Sequence, residues 1–151
     1  MTIPRVSVTR INVTTQAELD KALLDGLSPT CLGDGTFVVT GNSKVSARGK
    51  VRILAHGECH VTAYENTTVN AYDESSVWSC GHSCVRAFDK TNVNAHEYSD
   101  VTTFDTAHTL AYDNVKVSAH ADTTTSAYHT SIVLASGNAA VYTYGKSTVQ
   151  F

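Results

Sequence analysis

From Phe37 to Phe151 the chain is one eight-residue unit repeated without insertion or deletion. Cut at every eighth residue it reads VTAYENTT, VNAYDESS, VWSCGHSC, VRAFDKTN and onward to VYTYGKST. Looser copies FVVTGNSK, VSARGKVR and ILAHGECH come first. An unbroken short repeat implies a solenoid, because each unit can bury its apolar face only against its neighbours. Position one is nearly always Val (Val45, Val61, Val69, Val77, Val85), and position three is small, usually Ala (Ala47, Ala55, Ala63). Position seven is Ser, Thr, Ala, Val or Cys, so positions seven, one and three give the alternation of a short strand with three inward residues. Gly, Asp or Glu dominates position five, where the chain must turn. The expectation is an all-β, single-chain β-helix.

The number of octads per coil follows from which residues recur in columns. Read at every third unit, position six gives Asn42, Asn66, Lys90, Asn114 and Asn138, which gathers all four asparagines of that position. This predicts three octads, about 24 residues, per triangular coil. Residues 1–36 read as a small N-terminal cap over residues 37–151. In the cap, Val6 to Val13 alternates like a strand, and Thr15 to Gly26 reads as a short capped helix with Leu19, Ala22 and Leu23 on its apolar stripe.

Ala63-Tyr64-Glu65-Asn66-Thr67-Thr68-Val69 and Ala71-Tyr72-Asp73-Glu74-Ser75-Ser76-Val77 resemble the AYDSATV-type octapeptide repeats of phage and bacterial proteins. The resemblance covers residues 45–151. It implies a β-helix of phage or bacterial origin and specifies no activity. A competing architecture is the intertwined triple-stranded β-helix of phage needles and secretion spikes. There successive octads would stack, and a period of three within one chain would have no cause.

The formal net charge of -3 offers no basic stripe for nucleic acid. No apolar run approaches a membrane span, and the opening residues form no signal-peptide pattern. These features predict a cytoplasmic or virion-associated chain with a protein or glycan partner, with homo-oligomerisation left open. Insertion-free octads leave no long loops to mount catalytic groups. The expected function is therefore a non-enzymatic structural or macromolecule-binding β-helix, with no cofactor. The alternative is a glycan-binding or zinc-binding solenoid.

Two sets of residues carry those alternatives. Position four is rich in aromatic and histidine side chains, and three-octad stacking aligns Tyr64, Phe88 and Tyr112 as an aromatic strip for a glycan or protein. The octad VWSCGHSC departs most from the consensus. The same stacking sets Cys84 between His60 and His108, with Cys80 beside His56, and His60, Cys80, Cys84 and His108 are the candidate zinc ligands. Glu65, Asp89 and Asp113 would also fall in one column, either holding a cation or serving simply as turn residues.

Overall fold

The structure, a computed structural model, describes residues 10–151. It is a β-solenoid of two facing parallel sheets, one of nine strands and one of eight. Strands of four residues, from β3 (Thr36–Val39) to β16 (Ala140–Thr143), recur once per octad and alternate between the sheets. Each covers octad positions eight, one, two and three. Positions one and three point inward, and Val61, Val69, Val85, Ala63 and Ala87 are all buried.

The coil holds two octads, not three. Val61 pairs with Val77 and Val77 with Val93, a repeat of sixteen residues rather than the 24 read from the asparagines. The section is therefore two-sided instead of triangular. The reason lies in the corner. The N–H of position seven donates to the carbonyl of position four, as in Thr67 to Tyr64 and Ser75 to Tyr72, both at 3.3 Å. This closes a four-residue turn that reverses the chain, so each octad returns antiparallel to the last and two complete a circuit. Position five carries the required positive φ even where it is not glycine, as in Glu65 (61°), Asp73 (61°) and Asp89 (55°). The asparagines split between the two corners, Asn66 and Asn114 on one and Asn42 and Asn138 on the other. At exposed turn positions they are selected locally and report no column. Pairing within one chain also replaces the intertwined three-chain alternative.

A second bond fixes the corner from inside. The inward hydroxyl of position seven donates to the same position-four carbonyl: Thr67 to Tyr64 at 2.7 Å, Ser75 to Tyr72 at 2.7 Å, Thr91 to Phe88 at 2.6 Å. These hydroxyls are buried but satisfied, which explains why position seven accepts Ser and Thr in an apolar core. Cys59 substitutes its Sγ, 3.0 Å from the His56 carbonyl.

The N-terminal part joins this frame. β1 (Asn12–Val13) and β2 (Thr30–Cys31) extend the nine-stranded sheet, with Cys31 paired to Ala47. The remainder of the strand read from Val6 lies outside the described residues. Between β1 and β2 runs α1 (Gln16–Leu24), started by a capping box. Thr15 accepts from the Glu18 N–H, and the Glu18 carboxylate accepts from the N–H groups of Thr15 and Thr14. The Thr14 N–H is the main reason the Glu18 carboxyl titrates below its usual value. Leu19 and Ala22 are buried against the solenoid. Gln16 closes the sheet edge: its side-chain amide accepts from Val38 N–H at 2.8 Å and donates to Val38 O at 2.9 Å. A side-chain amide thus stands in for the missing neighbour of edge strand β3.

Two measurements test this frame. In a Cys80→Ser, Cys84→Ser background, Asn42→Cys with Glu58→Cys forms a disulfide on mild oxidation, since one coil separates them by about 5 Å. Asn42→Cys with Asn66→Cys stays reduced, because those positions occupy opposite corners. Val85, fully buried at mid-strand, tests the core: Val85→Asp lowers unfolding stability in urea by at least about 4 kcal/mol, the cost of an unpaired charge inside.

Candidate binding surface at the break in an aromatic ladder

Because strands stack at sixteen residues, position four forms two columns, one at each corner. At one corner His56, Tyr72, Phe88, Phe104 and His120 stack in succession, with centroids 4.6 to 5.2 Å apart and planes within 18° of parallel. His120 Nδ1 then meets Ser136 Oγ at 2.6 Å, where the column runs out of rings. The opposite corner holds Arg48, Tyr64, Cys80, His96, Tyr112, Tyr128 and Tyr144. From His96 to Tyr144 its rings stack at 4.7 to 4.8 Å. The strip of Tyr64, Phe88 and Tyr112 therefore does not exist as one column. Tyr64 and Tyr112 share a corner three coils apart, and Phe88 belongs to the other.

The second ladder is broken once, at Cys80. Its side chain is too short to supply a rung between Tyr64 and His96. Trp78, two residues earlier and on the outer face of β8 (Ser76–Ser79), lays its indole over His96 instead, at 5.2 Å and 17°. On the other side of the break Arg48 lies over Tyr64, its Cζ 4.8 Å from the ring centroid. His82 and Tyr98, on the turn beside it, stack at 5.4 Å. Trp78 and Tyr98 remain half-exposed or more, at 51% and 59%. A shallow depression of about 530 Å³ lies at this break, bordered by Arg48, Tyr64, Asn66, Cys80, His82 and Glu97. The irregular octad VWSCGHSC is the signal in the sequence, but the role of Trp78 as a replacement rung required the true register.

The four residues read as a zinc site do not converge. His60 faces outward from the nine-stranded sheet beside Ser76, and His108 pairs with Asn92, three coils away. Cys84 lies in the opposite sheet between Thr68 and Asp100, and Cys80 sits at a turn. Among the described residues no three His, Cys, Asp or Glu side chains are grouped to hold a metal. Burial raises the titration of all four thiols, that of Cys31 to about 12, so they remain protonated at neutral pH.

The acidic column is likewise redistributed. Glu65 and Asp113 share one corner and Asp89 the other, where its neighbours are Asp73 and Asp105. Each carboxylate reaches back one coil to accept the position-five N–H. Glu65 accepts from Gly49 at 2.8 Å, Asp73 from Gly57 at 2.8 Å, Asp89 from Asp73 at 3.0 Å and Glu97 from Gly81 at 2.7 Å. This N–H points away from both ladders at a left-handed residue, so the next coil's acid is its partner. A charge-assisted bond of about 1.5–3 kcal/mol before solvent screening offsets the roughly 1–2 kcal/mol cost of positive φ in a residue with a Cβ. The carboxylates are turn supports with their own donors.

The break can be repaired. Cys80→Tyr supplies the missing rung, stacks between Tyr64 and His96 and displaces the Trp78 indole into water. Expected results are a stabilisation of about 0.5–1.5 kcal/mol and a red shift in emission from Trp78, the single tryptophan. Unchanged emission would contradict the replacement-rung geometry. No protein-family model, curated protein or solved structure matches the chain.

Proposed function

We propose that the chain is a non-enzymatic, rigid β-solenoid that serves as a structural or macromolecule-binding module. Its contact surface is the corner around Arg48, Tyr64, Trp78, His82 and Tyr98. The observation that carries this reading is the single ladder break, where stacked side chains leave aromatic surface half-exposed beside an arginine. Arg, Trp and Tyr are the residues that most often anchor protein interfaces. Corners of uniform length supply no deep cleft for chemistry. The resemblance of the octads to phage and bacterial repeats adds the expectation of a virion component or a protein that engages a host macromolecule.

A protein partner is favoured over a glycan for a geometric reason. Sugars stack on the open faces of aromatic rings; along the unbroken ladders those faces are covered by neighbouring rings about 5 Å away, and at the break Arg48 covers one face of Tyr64 and His96 one face of Trp78. The test compares wild type with a Trp78→Ala, Tyr98→Ala variant whose circular dichroism is unchanged. Wild type captures a protein partner from the native cell lysate, the variant loses at least about tenfold in affinity, and a glycan array stays blank. Equal capture by both proteins, or glycan binding abolished in the variant, would overturn this assignment.

A further inference from the structure

Arg48 and Tyr64 border two hollows. One is the depression at the ladder break, which Glu65 and Glu97 also line. The other, of about 540 Å³, lies over β1, β2 and β4 (Lys44–Ala47), and Arg10, Asn12, Ser28, Thr30 and Ser46 complete most of its wall. Strand register explains that wall. Asn12 pairs with Thr30 and Thr30 with Ser46, so three outward polar side chains form a row across the sheet, about 4.8 Å apart per strand. Arg10 lies two residues before Asn12, and Arg48 two residues after Ser46. The arginines therefore stand at opposite ends of the hollow, their Cα atoms roughly 16 Å apart by strand spacing and rise.

The charge of this wall is one-sided. Among the described residues no Asp or Glu lines it, and the ion pairs, His56 with Asp73, Lys90 with Glu74 and His129 with Asp113, include neither arginine. Glu65, at the same corner as Arg48, is engaged by the Gly49 N–H at 2.8 Å. Lys44 adds a third cation beside Ser28, with which it borders a neighbouring hollow. Between Asp34 and Glu58 the chain carries Lys44, Arg48, Lys50 and Arg52 and no acid. Residues 58–151 hold ten of the 14 acidic side chains and only four of the 11 basic ones. Such a field repels an anionic chain from the later coils and draws it to this face.

The lining restricts the occupant. A lone phosphate or sulfate reaches one end of the hollow and leaves the other arginine unused. A nucleotide base needs an open ring, and Arg48 covers one face of Tyr64, the single aromatic side chain of the wall. Asn12, Ser28, Thr30 and Ser46 offer donors and acceptors together, as a peptide main chain requires. We infer that the hollow receives an extended acidic segment of the protein partner. Its carboxylates pair with Arg10 and Arg48, and its main chain crosses the polar row between them. The inference rests on the reading of the ladder break as a protein contact, and it adds the chemistry of the segment that continues past Arg48.

The experiment is fluorescence anisotropy of the 1–151 chain with labelled hexaglutamate, long enough when extended to span about 20 Å, and with hexaglutamine as control. Hexaglutamate binds at roughly 20 mM salt and is released at about 500 mM; hexaglutamine does not bind. Arg10→Glu and Arg48→Glu each weaken binding at least about tenfold with unchanged circular dichroism, while the Trp78→Ala, Tyr98→Ala variant retains it. Arg10 is exposed and outside both stacked columns, so Arg10→Glu carries the test if Arg48→Glu does not fold. Unchanged affinity in folded Arg10→Glu, equal binding of hexaglutamine, or tighter binding of inorganic phosphate or oligothymidylate at these arginines would overturn the inference. The two readings fail separately: partner capture at the break without hexaglutamate binding sinks the acidic-segment site alone. Hexaglutamate binding without partner capture supports the site and sinks the reading of the break.

Discussion

The fold depends on a corner closed by one carbonyl. At octads such as those of Thr67, Ser75 and Thr91 the position-four carbonyl accepts from both the backbone N–H and the side-chain hydroxyl of position seven, while position five takes a positive φ. That geometry reverses the chain, fixes the coil at sixteen residues and thereby decides which side chains meet. The aromatic stacks, the carboxylate bonds and the dispersal of the thiols and imidazoles all follow from it.

The core itself is modest. Its columns are Val and Ala with small hydroxyls between them, and Phe37 is the largest buried side chain. Stability is therefore spread along the axis as nearest-neighbour terms: backbone ladders, stacked rings and carboxylates that reach one coil back. Exposed ion pairs such as Lys90 with Glu74, at 3.5 Å between adjacent coils, add little. In such an array each coil supports the next, and a local departure from the consensus can be tolerated where its neighbours compensate. Trp78 does this for Cys80 by lending its indole to the vacant rung.

Departures from the repeat are thus the places to look for function. There are two. The VWSCGHSC octad opens aromatic surface at one corner beside Arg48, and between Asp122 and Phe151 Lys146 is the single Asp, Glu, Lys or Arg. Both lie away from the first edge strand of the eight-stranded sheet, which Gln16 closes with a side-chain amide.

The sequence by itself determined the octad period, the inward Val and Ala, the polar outward positions and the turn at position five. Each is a local consequence of strand alternation and backbone conformation, legible one octad at a time. The capping box at Thr15 and Glu18 was legible for the same reason. The number of octads per coil was not, because every octad carries the same strand and the same turn, and two or three such units satisfy one pattern equally. The asparagines misled because Asn42 and Asn66 sit on exposed turns, where choice is local. Only the tertiary structure decided the reversal angle, through hydrogen bonds from position seven to position four. That angle separated Phe88 from Tyr64, parted Cys84 from His60 and His108, and brought Trp78 over His96.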